Sequence, residues 1–184
     1  MNYQKIMKTL SNKLCKWYND NKFFLPWREN NSPYDVWISE IMLQQTQVST
    51  VIPYYKRWMK TFNTIDKVAD AHIDKILKFW EGLGYYQRAH NIHETAQKVV
   101  QNYKSIIPCD YKQLIEFKGI GDYTASAILS ISYSQKYPAI DGNLKRVIAR
   151  LAGISNFQDI ILKSKKFAMN LMLYNKPEFI NQSL

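Results

Sequence analysis

Apolar residues recur along this chain at intervals of three and four, and strict alternation is nowhere sustained, a pattern that predicts helices. Ile6, Leu10, Leu14, Trp17 and Tyr18 share one helical face, so the first element reads as an amphipathic helix of the fold. Ser32-Pro33 predicts a helix start, with Ser as cap and Pro at the first helical position. That helix runs through Trp37 and Glu40 to about Gln45. The next carries Val51, Ile52, Tyr55, Trp58, Met59 and Phe62 on one face. A short helix from Ile73 to Trp80 is stopped by Glu81-Gly82-Leu83-Gly84, and Ala89, Ile92, Ala96, Val99 and Val100 mark a longer one. Pro108 breaks the chain before a further pair. Asn143 to Leu151 and Phe157 to Leu173 predict two more helices, and Pro177 opens a last segment. The expected fold class is all-α.

Length and composition narrow the picture. A chain of 184 residues suits one ordinary domain or two small lobes sharing a core. Its 46% hydrophobic content, with 13 Tyr and 5 Trp, argues for a packed globule over disorder. Lys and Arg number 25 against 15 Asp and Glu, a net charge of +10, which suits a polyanionic partner. A lysine-rich background gives the same balance, so charge leaves the choice open. Cys15 and Cys109 form no C-x-x-C pair and point to a reducing compartment, with neither a disulfide framework nor a metal clamp. No apolar run approaches the ~20 residues of a membrane helix. The N-terminal lysines accompany no apolar signal core. A cytoplasmic place is expected for a bacterial source, with no membrane partner and a monomeric state.

One stretch organises the rest. Leu114-Ile115-Glu116-Phe117-Lys118-Gly119-Ile120-Gly121-Asp122-Tyr123-Thr124-Ala125 places two glycines around one apolar residue, with helix-compatible sequence on both sides. Gly119 and Gly121 are expected to take backbone angles closed to other residues. Backbone N–H groups of such a turn and of the following helix form a phosphate site, the helix-hairpin-helix reading. A lone G-x-G is weak, because many tight turns look the same. What lifts this one is Asp141, one helix and one loop later.

Two carboxyls carry candidate chemistry. Glu40 lies among Val36, Trp37, Ile38, Ile41, Met42 and Leu43, apolar nearly all round the wheel, as in a buried helix. A desolvated carboxyl keeps its proton near neutral pH, as a general acid requires. The alternatives are a Glu at the helix edge, or one paired with a buried Arg such as Arg88. Asp141, before Gly142-Asn143-Leu144, reads equally as a helix N-cap worth ~1 kcal/mol. The roles are compatible, because donors that cap a helix also favour an ionised Asp. One protonated and one charged carboxyl is the pattern of glycosidic bond cleavage through a cationic sugar.

Several motifs then occur in one order: Leu25-Pro26-Trp27-Arg28, Pro33 to Val48, Val51-Ile52-Pro53-Tyr54-Tyr55, Gly82-Leu83-Gly84-Tyr85-Tyr86 and Ile140-Asp141-Gly142-Asn143. Together they resemble the catalytic region of adenine DNA glycosylases of the MutY type, within the helix-hairpin-helix superfamily. The resemblance runs from about Trp17 to Gln182. It implies a two-lobed helix-hairpin-helix glycosylase fold. Residues 29–138 would form a six-helix barrel lobe with the hairpin at about 111–133. Residues 1–28 with 139–184 would form a second, incomplete helical lobe. It implies Glu40 as the general acid that protonates adenine, and Asp141 as the stabiliser of the oxocarbenium sugar. Tyr123 and Asn143 match polar residues supporting that site. Gln45 and Tyr85 match residues that push into the duplex, while Lys118, Gly119, Ile120 and Gly121 belong to the phosphate-gripping hairpin. The implied partner is double-stranded DNA with adenine opposite 8-oxoguanine or guanine.

Bifunctional relatives such as endonuclease III place a Lys where this chain has Tyr123, and its amine forms a Schiff base that leads to strand cleavage. A phenol cannot, so the resemblance implies a monofunctional enzyme. Relatives continue past the match to Phe179-Ile180-Asn181-Gln182 with a helix and four cysteines holding a 4Fe–4S cluster, then a domain reading 8-oxoguanine. Neither follows here, and the tetrapeptide carries an extra residue between Phe and Asn. The chain is expected to be a fragment or a shortened gene product that binds no metal cluster. Phe167, Leu171, Leu173 and Phe179 are then expected to be left exposed, giving marginal stability and poor discrimination between 8-oxoguanine and guanine. Three other readings stay open: a DNA-binding remnant without activity, a mismatch thymine glycosylase, and a helical protein unrelated to DNA.

Overall fold

The helical spacing is realised in a computed structural model that describes residues 2–154 and 159–184. Among those residues there are eleven α-helices and no strand. They are α1 (Tyr3–Asn21), α2 (Pro33–Leu43), α3 (Val48–Thr61), α4 (Ile65–Ala69), α5 (Ile73–Trp80) and α6 (Gln87–Tyr103). Then follow α7 (Tyr111–Ile115), α8 (Asp122–Tyr133), α9 (Gly142–Ala152), α10 (Ile160–Leu171) and α11 (Pro177–Ser183). The helix expected from Phe157 is seen from Ile160, and Phe157 itself lies outside the described residues. The chain divides into two compact units, Phe24–Ala125 and Met1–Phe23 with Ser126–Leu184.

In the unit Phe24–Ala125, local signals set the helix starts. The Ser32 hydroxyl accepts the Asp35 N–H at 3.0 Å, and Pro33 opens α2 without losing a bond. Asp110 does the same for α7, accepting from Gln113 N–H at 3.0 Å. α2 ends at Leu43 rather than Gln45, because its last carbonyls are taken up by the Arg88 side chain and not by further helical turns. The core is aromatic. Trp58 meets Phe62 at 4.7 Å and Trp80 at 5.9 Å between ring centroids, and Trp27 meets Tyr55 at 5.4 Å. Buried indole N–H groups need acceptors. Trp58 donates to the Tyr34 hydroxyl at 3.0 Å and Trp80 to the Gly84 carbonyl at 2.9 Å. α4, which the spacing did not announce, buries Ile65 and Val68 and packs on α6. Five residues are too few for a helical period to register.

In the other unit, α1 packs on α10 and α11, and α9 packs on α10. The buried stripe of α1 is Met7, Ser11, Cys15 and Tyr18, flanked by half-buried Leu10 and Leu14. Ile6 and Trp17, expected inside, are exposed. The stripe follows polar partners as well as apolar ones. The Ser11 hydroxyl donates to the Leu171 carbonyl at 2.9 Å, and the Tyr18 hydroxyl to Gln182 Oε1 at 2.8 Å. These contacts close α10 and α11 onto α1. Leu171 is therefore fully buried and Phe167 and Phe179 half-buried, against the expectation of exposure; Leu173 is exposed.

Candidate functional site

The turn of the hairpin lies in the unit Phe24–Ala125. Leu114 and Phe117 are buried, and the chain reverses at Gly119, whose φ is +82°. A Cβ on Gly119 would be strained by that φ and would stand 3.2 Å from the Asn91 Cβ, a tight contact that Asn91 would have to yield to. Gly121 differs from the expectation. It has no positive φ and faces open space, and its carbonyl accepts the Ala125 N–H at 2.9 Å, the first bond of α8. One glycine turns the chain and the other leads into the helix. Ile120 is buried, so its side chain anchors the turn and leaves only its backbone for an outside partner. An apolar residue between two bare positions fills the gap beneath them. The hairpin is also held from α6 and the end of α2. Thr95 donates to the Lys118 carbonyl at 3.4 Å, and Gln44 Nε2 to the Gly119 carbonyl at 3.4 Å. Lys118 Nζ lies 2.9 Å from Glu94 Oε2, and Lys98 Nζ lies 3.0 Å from the other oxygen. Hydrogen bonds from Lys118 first, then Lys98, hold the Glu94 carboxyl below its ordinary range. Tyr123 is the second residue of α8 and is half-buried.

Glu40 sits in α2 with Val36, Trp37, Ile38, Ser39, Ile41 and Met42 buried around it, and is itself half-buried. Arg88, which the sequence offered only as a possible counter-ion to Glu40, has another use. Its Nη1 donates to the carbonyls of Ile41 at 3.0 Å, Met42 at 2.9 Å and Gln44 at 2.6 Å. Its Nη2 donates to the Leu83 and Gly84 carbonyls at 3.2 and 3.1 Å and to the Thr46 hydroxyl at 3.2 Å. Burial lowers the pKa of this guanidinium, and the nearby Tyr85 opposes that shift. The two loops so joined carry Gln45 and Tyr85, both exposed and both left-handed, with φ of +55° and +49°.

In the second unit, Asp141 caps α9. Its Oδ1 accepts the Leu144 N–H at 2.7 Å, while Oδ2 lies 3.4 Å from Asn143 Nδ2. One oxygen is committed to the helix and the other carries a single long contact with the second candidate of this unit. Asn143 Oδ1 in turn accepts from Arg146 at 3.2 Å. The approach to Asp141 is pinned by Asn181, a residue the sequence flagged only for its irregular spacing. Its amide donates to the Ser130 hydroxyl at 2.6 Å and to the Tyr137 carbonyl at 3.0 Å, and its Oδ1 accepts from Ala139 N–H at 3.1 Å. Glu40, Gln45, Tyr85, Tyr123 and the hairpin turn thus belong to one unit, and Asp141 with Asn143 to the other.

The iron–sulfur cluster implied by the resemblance needs cysteine thiolates. The chain's two cysteines fall in different units, Cys15 buried and Cys109 exposed. Among the described residues no three His, Cys, Asp or Glu side chains gather as metal ligands. The donors present do not fit such a group. No described helix is long and apolar enough to cross a membrane.

Comparison with known proteins agrees with this architecture. The chain is 45% identical over 162 residues to the adenine DNA glycosylase of Buchnera aphidicola subsp. Acyrthosiphon pisum, covering 88% of this chain and 45% of that protein. It is 37% identical over 182 residues to the human adenine DNA glycosylase, covering 92% of this chain and 33% of that one. The chain thus spans less than half the length of these curated relatives. A thermostable thymine-DNA glycosylase superposes with a TM-score of 0.78 at 23% identity, covering 92% of this chain and 86% of that one. Endonuclease III trapped covalently on DNA gives 0.78 at 21%, covering 100% and 84%. At such identities these two structures speak to the fold, which is the helix-hairpin-helix glycosylase fold. The model of the HhH-GPD superfamily of base excision DNA repair proteins matches residues 38–169, and the chain belongs to that superfamily.

Proposed function

We propose that this chain is a monofunctional adenine DNA glycosylase of base excision repair, hydrolysing the N-glycosidic bond of adenine mispaired with 8-oxoguanine or guanine. The similarity to relatives named adenine DNA glycosylase supports the substrate. The observation that carries the chemistry is Glu40, a half-buried carboxyl-bearing residue among six buried neighbours in α2. Such a group donates a proton to the departing adenine, a general-acid step worth roughly 10²–10⁴ in rate. Loss of the base leaves positive charge on the sugar. Asp141, fixed by its capping bond to Leu144, supplies the opposing charge through its second oxygen, with Asn143 beside it. Water then adds to the sugar. Tyr123 offers a phenol and no amine, so no Schiff base forms there and the strand stays uncut.

A stacked base is out of reach of these groups, so the adenine is flipped from the duplex. Gln45 and Tyr85 fill the space and contact the flanking bases. The Gly119–Gly121 turn and the first N–H groups of α8 grip backbone phosphate, with Lys118 alongside.

The test is a labelled duplex carrying adenine opposite 8-oxoguanine, with a guanine-opposed duplex and a normal A:T duplex beside it. Breaks that appear at the adenine only after heating in alkali support the assignment. Tight duplex binding without base release would replace it by a DNA-binding remnant. Release of thymine from G:T in place of adenine would make the chain a mismatch thymine glycosylase.

A further inference from the structure

We propose that Arg88 is a positioning residue that locks Gln45 and Tyr85 into one preset pair for insertion into the duplex, an inference that rests on the glycosylase reading above. The helix α2 leaves its final carbonyls without helical donors, as every helix does. Here the carbonyls are answered from 44 to 47 residues away. Arg88 Nη1 gathers Ile41, Met42 and Gln44, the three carbonyls that lead into Gln45. The adjacent Nη2 gathers Leu83 and Gly84, the two carbonyls that lead into Tyr85, and adds the Thr46 hydroxyl. A single rigid guanidinium therefore spans both loops. Gln45 and Tyr85 each follow directly on a carbonyl that it holds.

Both tips need such a restraint. Neither residue is glycine, yet each stands in the left-handed region, a conformation that persists only where the surroundings impose it. Arg88 is 7% exposed, and its guanidinium carbon lies 5.3 Å from the Trp80 ring centroid and 5.4 Å from that of Tyr85. Its guanidinium donates to five carbonyls and one hydroxyl, so its planar fork matches several fixed acceptors at once. A lysine ammonium, a single point with three donors, cannot reach both sets. Holding the tips before contact removes ordering that insertion would otherwise require.

The experiment compares wild type with Arg88→Lys and Arg88→Met under single-turnover conditions on two substrates. One is a fully stacked duplex with adenine opposite 8-oxoguanine; the other has the same adenine flanked on its own strand by abasic sites, so that it has no neighbour to stack on. Arg57→Lys is the control, since Arg57 is another guanidinium of the same unit that donates to the Phe79 carbonyl and stacks on Tyr54. On the stacked duplex the Arg88 variants should be slower by about ten- to a hundredfold, the scale of a misplaced contact. On the unstacked one the loss should largely vanish. Equal losses on both substrates, or none on either, would overturn the proposal. If both Arg88 variants fail to fold, Thr46→Val, which removes one Nη2 partner, must show the same substrate-dependent loss to a smaller degree. Wild type inactive on both substrates would remove the glycosylase reading. Arg88 would then be judged by amide exchange, which must quicken in both 42–47 and 82–86 in Arg88→Lys and in neither in Arg57→Lys.

Discussion

The side-chain oxygen of Asn181 accepts the backbone N–H of Ala139 at 3.1 Å, fixing the chain two residues before Asp141 from a helix at the other end of the unit. The same amide donates to the Tyr137 carbonyl, so one side chain satisfies both directions of an extended segment that has no strand beside it. Asp141 enters α9 from that segment with φ −95° and ψ −174°, the extended geometry its capping role requires.

Asn181→Leu should therefore leave the Ala139 N–H and the Tyr137 carbonyl without their partner. The Ala139 N–H, in a buried residue, left unsatisfied costs about 1–3 kcal/mol. Thermal melting should fall by roughly 2–4 °C per kcal/mol for a chain of this size. Base release should fall more than duplex binding does. An unchanged melting temperature would show that the segment is held by other means.

Gly119→Ala and Gly121→Ala should separate cleanly. The first forces a Cβ into the left-handed region, at about 1–2 kcal/mol, and against Asn91. The second meets open space at an ordinary φ and should change stability by less than about 1 kcal/mol. Chemical denaturation of both variants measures the difference. Equal effects would contradict the assignment of the turn to Gly119 alone.

Glu40→Gln keeps the shape of the side chain and removes the proton it would donate. Duplex affinity should stay within about twofold, while base release should drop by at least the roughly 10²–10⁴ assigned to general-acid catalysis. Single-turnover assays beside a binding titration decide it. Release at the wild-type rate would take Glu40 out of the mechanism.

With Tyr123 at the second position of α8, borohydride should trap little enzyme–DNA adduct, and strand breaks should need alkali. Lys145, close behind Asp141, is the expected source of slow incidental trapping. Efficient trapping that persists in Lys145→Ala would show an amine nucleophile elsewhere and contradict the monofunctional reading.

Lys118 beside the hairpin should contribute one phosphate contact. Lys118→Ala should then flatten the dependence of log affinity on log salt by about 0.9. Glu94→Gln removes the carboxylate that now holds Lys118 at 2.9 Å and should leave that slope no shallower than wild type. A slope unmoved by Lys118→Ala would place the phosphate elsewhere.

What the sequence determined by itself is what depends on neighbours within about one helical turn. The Ser32 cap with Pro33, the stop after Trp80, the glycine turn and the Asp141 cap all involve residues four positions apart or fewer, so their chemistry is written side by side. The family motifs add an order of candidate residues along the chain. The tertiary structure decided what local pattern leaves degenerate. Ile6 and Met7 are equally plausible inside α1, and only the partners on α10 and α11 select Met7. Ile120 could face a ligand or the core, and the core took it because an apolar side chain gains by leaving water. Arg88 could be matched in the sequence only to a charged side chain, yet it holds backbone carbonyls 46 and 44 residues away, groups that every residue carries and no sequence pattern marks. Asn181 reaches back 42 residues in the same way. Long-range bonds to the backbone are invisible in side-chain identity, because the acceptor is the same atom at every position.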